Sequence, residues 1–211
     1  MERLMKIYDL LLKAYGPRKW WPAETAFEMM VGAILTQNTA WTNVEKAIAN
    51  FGDNLSPQFI ETVSLTELAQ IIRSSGFYNQ KANSLKALTK WFEKYAYNLQ
   101  EAKKVDGEIL REELLAVKGV GRETADSILT YALEKPFFIV DAYTRRILSR
   151  VGYKLPKTYD QLRLKIEASI PRNLYIYNEF HALFVEHAKC HCLKSPRCEG
   201  CPLACICAEY D

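Results

Sequence analysis

Hydrophobic positions recur along this chain at the three-to-four residue spacing of helices, and no stretch alternates with the two-residue rhythm of a strand. The pattern therefore predicts an all-α protein. Residues 2–15 set Leu4, Ile7, Leu11 and Leu12 on one inward face and stop at Gly16-Pro17, a pair that cannot continue a helix. Residues 27–36 are almost wholly apolar, which predicts a helix buried on most sides. Gln37-Asn38-Thr39 follows as a polar surface loop, and 44–51 makes the next helix. Residues 65–75 and 80–96 read as two amphipathic helices, with Gly76 as a C-cap and Asn79 helping to start the second. Helices at 107–116 and 122–133 flank Gly119-Val120-Gly121, and further helices at 142–152, 158–170 and 173–189 lead into a cysteine-rich tail.

Composition narrows the class. With 211 residues, 49% apolar and 25% charged, the chain has the make-up of a soluble globular protein able to bury a real core as one large or two small domains. It shows no low-complexity run, long linker, internal repeat or membrane-length apolar window. Its amino end carries scattered charges and does not read as a signal peptide. The net charge of +3 permits nucleic-acid binding without arguing for it, so any basic surface must be local. All six cysteines fall between 190 and 207. Nothing suggests export, so thiolate ligation explains them better than disulfides.

Three stretches carry candidate chemistry. In Leu114–Leu129, LLAVKGVGRETADSIL, apolar residues lead into Gly119-Val120-Gly121 and then resume with Ala125, Ile128 and Leu129, which reads as helix, tight hairpin, helix. Glycine tolerates positive φ and lets another backbone approach, so such a hairpin can aim amide N–H groups at a phosphate. In Pro136–Arg150 an apolar run ends at Asp141, directly before a helix whose Ile147, Leu148 and Val151 face inward. An Asp in that place is a helix N-cap by its position alone. In the tail, Cys192, Cys198, Cys201 and Cys207 give C-x5-C-x2-C-x5-C, with Cys190 and Cys205 left over. Four thiolates suit zinc or a [4Fe–4S] cluster, and spacing alone does not separate them.

Together these motifs resemble the helix-hairpin-helix DNA glycosylase superfamily that includes endonuclease III, over nearly the whole chain. The resemblance implies two lobes, a six-helix barrel over 23–133 and a second helical domain of 1–22 plus 134–211, with double-stranded DNA crossing the cleft between them. It makes the acid of Val140-Asp141-Ala-Tyr143 the catalytic aspartate. It assigns the backbone grip to Lys118, Gly119, Val120, Gly121, Arg122 and Thr124, and places Gln37 where a residue enters the gap left by a flipped nucleotide. His187-Ala-Lys189 sets the register for Cys192 as first ligand of an iron–sulfur loop at 192–207, a [4Fe–4S] site with one residue fewer than usual between the first two ligands. His181, His187 and His191 read as packed, capping or bystander residues. The resemblance further implies a monomer in the cytoplasm, associated with the nucleoid.

Bifunctional members carry lysine two residues after the second hairpin glycine, where this chain has Glu123. A carboxylate cannot form the Schiff base that couples base removal to strand cleavage, so the expectation is a monofunctional glycosylase, with Lys118 as the one nearby substitute lysine. Trp20-Trp21-Pro22, Gly32–Thr39, Ser75–Ala82 and Gly119–Asp126 resemble more narrowly the 3-methyladenine DNA glycosylases, which implies a base pocket of Trp21, Pro22, Trp41 and Glu123. An N3- or N7-alkylated purine is cationic, so its glycosidic bond is already weak. Flat aromatic faces would hold it by cation–π attraction of about 0.5–2 kcal/mol per contact. The chain departs from that branch in carrying the cysteine loop and in having Leu183 where a lysine near the end of the C-terminal helix is found. Enzymes acting on mismatched thymine or uracil, or on oxidised bases, and a non-catalytic damage-binding protein are the alternative readings.

Overall fold

A computed structural model of the chain describes residues 2–18 and 23–209, and among them every regular element is helical. The helices are α1 (Glu2–Tyr15), α2 (Ala26–Leu35), α3 (Trp41–Ala49), α4 (Pro57–Thr62), α5 (Leu65–Ile71) and α6 (Tyr78–Glu93). They continue as α7 (Leu99–Lys103), α8 (Gly107–Ala116), α9 (Arg122–Ser127), α10 (Ala142–Arg150), α11 (Tyr159–Glu167) and α12 (Leu174–Cys190). No helix among the described residues is long and apolar enough to cross a membrane. The chain divides into two compact units, Trp21–Lys135 and Met1–Trp20 with Pro136–Asp211.

The first unit is built on α2, whose residues 29–35 are all buried, as the apolar run demands. Thr25 caps it by accepting the Glu28 amide at 3.0 Å. Helices α3 and α6 pack on α2, as does Ile128–Ala132. That last segment corrects the expectation of one continuous helix over 122–133. After α9 the backbone widens into a π-turn, with the Leu133 amide reaching Ile128 O at 3.1 Å. The wide turn carries Ile128, Leu129 and Ala132 together into the core.

Two short helices, α4 and α7, escaped the periodicity because six and five residues hold less than two turns of pattern, and the helix expected over 65–75 ends as α5 at Ile71. Their end signals are nevertheless local. Ser56 accepts the Phe59 amide at 3.2 Å with Pro57 opening α4, in the same way that Ser64 accepts the Glu67 amide at 3.1 Å to open the expected α5. Likewise Asn98 caps the five-residue α7. At α6 the reading of Asn79 as the starter is corrected: Phe77 is the N-cap, in a left-handed conformation with φ 46°, and Asn79 lies inside the helix. Gly76, at φ 67°, does close the short 3-10 turn before it.

The second unit packs α1 and α10 on α12. Leu4, Ile7 and Leu11 of α1 and Ile147, Leu148 and Val151 of the α10 region are all buried, and Leu12 is partly so. Phe138, Phe180, Phe184 and Tyr177 form the centre, the Phe180 and Phe184 rings stacking at 4.4 Å. Each such ring contributes on the order of 1.5–3 kcal/mol on burial. The apolar run Phe137–Val140 is buried without belonging to a helix or sheet, so its amides need other acceptors. Phe138 N donates to Glu167 Oε1 at 2.8 Å and Val140 N to the Tyr159 hydroxyl at 3.3 Å. This run delivers Asp141 to the start of α10.

Candidate nucleic-acid interface and catalytic carboxylate

The hairpin between α8 and α9 is held from below by charge. Arg111 and Asp126, both buried, face each other in a two-pronged pair, Nε to Oδ1 at 2.6 Å and Nη2 to Oδ2 at 3.3 Å. Removing one partner of such a pair leaves a buried charge uncompensated and costs about 3–5 kcal/mol. Above it Lys118, Gly119, Gly121, Arg122 and Glu123 are exposed, while Val120 and Thr124 are buried. The two glycines differ in kind. Gly119 has φ 88°, which an L-residue resists, whereas Gly121 is the extended N-cap of α9 at φ −89°. Only Gly119 makes the turn, and the Val120 amide is spent inward on Val117 O at 3.0 Å.

Gln37 is tied to this hairpin. Its Nε2 donates to Gly119 O at 3.0 Å and to Thr124 Oγ1 at 2.9 Å, so the loop after α2 and the hairpin form one surface. The two stretches line an open recess together with Phe77, Lys81 and Lys118. Phe77 is a residue that the helix pattern passed over. It is 63% exposed, although large and apolar, and sits in a left-handed turn that costs on the order of 1–2 kcal/mol for a non-glycine. The signal available in the sequence was a bulky apolar residue directly after Gly76.

Lys81 is buried in the same region and donates to Leu35 O at 2.8 Å and to Ser75 O at 2.7 Å. It thereby joins the end of α2 to the turn that carries Phe77. Desolvation pushes its pKa down to about 8. Trp41 is the first residue of α3 and is half-buried. Trp21 and Pro22, the other two proposed pocket walls, lie outside the described residues.

In the second unit Asp141 caps α10, its Oδ1 accepting the Thr144 amide at 2.7 Å. His181 Nε2, from α12, stands 3.5 Å from Oδ2. Burial opposes ionisation of the carboxyl, but the neighbouring His181 imidazole and the Thr144 amide outweigh it, so the pKa lies below the ordinary carboxylate value. The group is a shielded anion at neutral pH. Leu183, two residues beyond His181, is fully buried in the core.

Cys192, Cys198, Cys201 and Cys207 line one recess beside α10 and α12, together with Ile147 and Leu203. Cys190 and Cys205 are exposed. Among the described residues no three His, Cys, Asp or Glu side chains gather as a site for a metal ion. The loop is pinned by two arginines of α10: Arg146 Nε donates to Cys192 O at 2.7 Å, and Arg150 donates to Leu193 O at 2.6 Å and Lys194 O at 2.9 Å. Arg150 also stands 3.3 Å from Cys192 Sγ. The four thiols, with a guanidinium at one sulfur, have the donor chemistry of a thiolate ligand set and line one recess, although they do not gather around a single point. His187 packs beneath, its Nδ1 2.9 Å from the Tyr15 hydroxyl, and burial with His191 nearby pushes it down to about 4.

Residues 31–172 match the family model of the HhH-GPD superfamily base excision DNA repair protein. A Methanocaldococcus jannaschii protein named "Putative DNA repair glycosylase" is 49% identical over 211 residues, covering 98% of this chain and 96% of that protein. Among solved structures, the H. pylori 3-methyladenine DNA glycosylase MagIII bound to 1,N6-ethenoadenine is 32% identical with a TM-score of 0.74, over 89% of this chain and 96% of that one. A trapped endonuclease III–DNA covalent intermediate is 25% identical with a TM-score of 0.85, over 99% and 96%. On the family match and this likeness over nearly its whole length, the chain belongs to the HhH-GPD superfamily of base excision DNA repair proteins, as a DNA repair glycosylase.

Proposed function

We propose that this glycosylase removes alkylated purines such as 3-methyladenine from double-stranded DNA by hydrolysis of the N-glycosidic bond, and leaves the strand intact. The observation that carries the chemistry is Asp141, a carboxylate held ionised in a sheltered place by Thr144 and His181. An anion so placed stabilises the positive charge that develops on the sugar as the bond stretches, or orients the attacking water. An alkylated purine leaves as a neutral base, so little acid help is required. The similarity to MagIII supports that substrate class, and Trp41 with Glu123 supplies an aromatic face and a negative charge suited to a cationic base. Trp21 and Pro22 complete the pocket in this reading.

Glu123 in place of an amine removes the Schiff-base route and with it strand cleavage. The exposed Lys118, Arg122 and hairpin backbone grip phosphates without reading sequence. Gln37 and the exposed ring of Phe77, both lining one recess, fill and wedge the stack where a nucleotide has been turned out. Cys192, Cys198, Cys201 and Cys207 hold a [4Fe–4S] cluster that fastens the 192–207 loop, with Lys194 and Arg197 exposed on it. The enzyme acts as a monomer in the cytoplasm, on nucleoid DNA.

The test is chromatography of free bases released from methylated duplex DNA, with Asp141→Asn alongside. Methylpurines freed by the parent and not by the variant, in strands that break only after alkali, are the expected result. Release from mismatched or oxidised duplexes alone would move the substrate assignment, and prompt strand breakage would remove the monofunctional one.

A further inference from the structure

The carboxylate of Asp141 is held from two different helices. The Thr144 amide is the ordinary N-cap partner and fixes Oδ1 at 2.7 Å. One bond of this kind leaves the carboxylate plane free to turn about its Cβ–Cγ axis. The second oxygen is the one left for chemistry, and it faces His181 at 3.5 Å.

His181 comes from α12, which packs on both α1 and α10. Helix α12 is capped by Asn173 at its start, and Phe180, Leu183 and Phe184 around His181 are fully buried. The imidazole itself is 6% exposed. An imidazole in an apolar core is a poor substitute for leucine or phenylalanine as packing, since its polar atoms lose water. What it brings is a donor nitrogen on a rigid helix facing an anion at 3.5 Å, and a charge-assisted hydrogen bond closed across that gap is roughly twice as strong as one between neutral groups. The groups acting on Asp141 are His181 from α12 and Thr144 from its own helix.

We propose that His181 is a positioning residue: its Nε2–H donates to Asp141 Oδ2 and locks the carboxylate in one plane, with the remaining lone pairs of both oxygens presented to the sugar or the water. The assignment rests on Asp141 being the catalytic carboxylate. It makes α12 part of the active site through a residue that never touches the DNA.

Two variants of the full-length protein separate this role from mere packing. His181→Phe fills the space and removes the donor, while His181→Gln restores an amide N–H near the position of Nε2. Three readouts are taken: single-turnover base release from methylated duplex at saturating enzyme, affinity for an abasic-site duplex, and the titration of the Asp141 carboxyl followed by carbon NMR. His181→Phe is expected to slow release roughly 10- to 100-fold, the scale of a small misplacement of a reacting group. Its DNA affinity should stay within about two-fold. Its Asp141 midpoint should rise, because burial then acts with less opposition. His181→Gln should recover most of the rate and the low midpoint.

Equal losses in both variants, or an unchanged rate in His181→Phe, would overturn the proposal. Should the parent release no methylpurine, the substrate reading falls by itself. The carboxyl titration then decides the coupling: a midpoint unmoved in His181→Phe refutes it, and one that rises and is restored by glutamine upholds it.

Discussion

Gly119→Ala is the sharpest test of how the hairpin is built. An added Cβ would stand 1.9 Å from Ser84 Oγ and 2.7 Å from Ser84 Cβ, at a φ of 88°. The hydroxyl can rotate, at the expense of its 3.0 Å bond to Gln80 O. The Cβ belongs to α6 and moves only with the helix. Forcing an L-residue to positive φ costs about 1–2 kcal/mol, and overpacking about 1–3 kcal/mol. The two together predict a loss of roughly 2–5 kcal/mol, or about 4–20 °C in melting temperature for a chain of this size. Gly121→Ala is the matched control, since no atom lies within 4 Å of its added Cβ and its φ is −89°. Its stability should change by less than about 0.5 kcal/mol. The new methyl instead crowds the outer face of the hairpin, so duplex DNA binding should weaken.

Circular dichroism melts and urea titrations of both variants, with duplex binding measured separately, read the two effects apart. A third protein, Gly119→Ala with Ser84→Gly, removes both clashing atoms. It should regain the packing part of the loss, less about 1 kcal/mol for a glycine inside a helix. If Gly119→Ala melts with Gly121→Ala, or if adding Ser84→Gly lowers its melting temperature further, the packing of the turn is other than described.

Two further outcomes follow from buried and substituted charges. Lys81 has its pKa lowered to about 8 by desolvation. Between that value and the ordinary lysine range the unfolded chain binds the extra proton, so this group adds stability as pH rises from about 8 to 10.5. Parent stability should therefore gain on Lys81→Met over that window, and a constant difference between the two would refute the shift. Glu123→Lys returns an amine to an exposed position at the start of α9. Borohydride should then trap the variant, and not the parent, on abasic-site DNA; trapping of the parent would show another lysine at work.

The helical class, the hairpin, the capping place of Asp141 and the cysteine spacing were all legible along the chain. Each depends on residues close in sequence: a glycine that a turn requires, an apolar period of three to four, an acid before a helix. Where the pattern misled, the causes were also physical. Helices α4 and α7 are too short to display a period, though their caps are plain. The π-turn at Ile128–Ala132 is chosen by what must reach the core beside α2, which no local propensity encodes. Gly119 and Gly121 look alike in the sequence, and only the backbone path distinguishes the turn former from the extended cap.

What the tertiary structure alone decided are the partnerships across distance in the chain. Lys81 bonds to Leu35 O, Gln37 to Gly119 O and Arg150 to the 192–194 loop, and His181 comes within 3.5 Å of Asp141. A histidine on an apolar helix face looks the same whether it packs or donates. Its role is set by which anion the fold brings opposite its nitrogen, and that depends on the packing of α10 against α12. Sequence thus determined which chemical groups this glycosylase owns, and folding determined which of them are within hydrogen-bond reach of each other, because that reach extends only about 3 Å and local patterns carry no record of it.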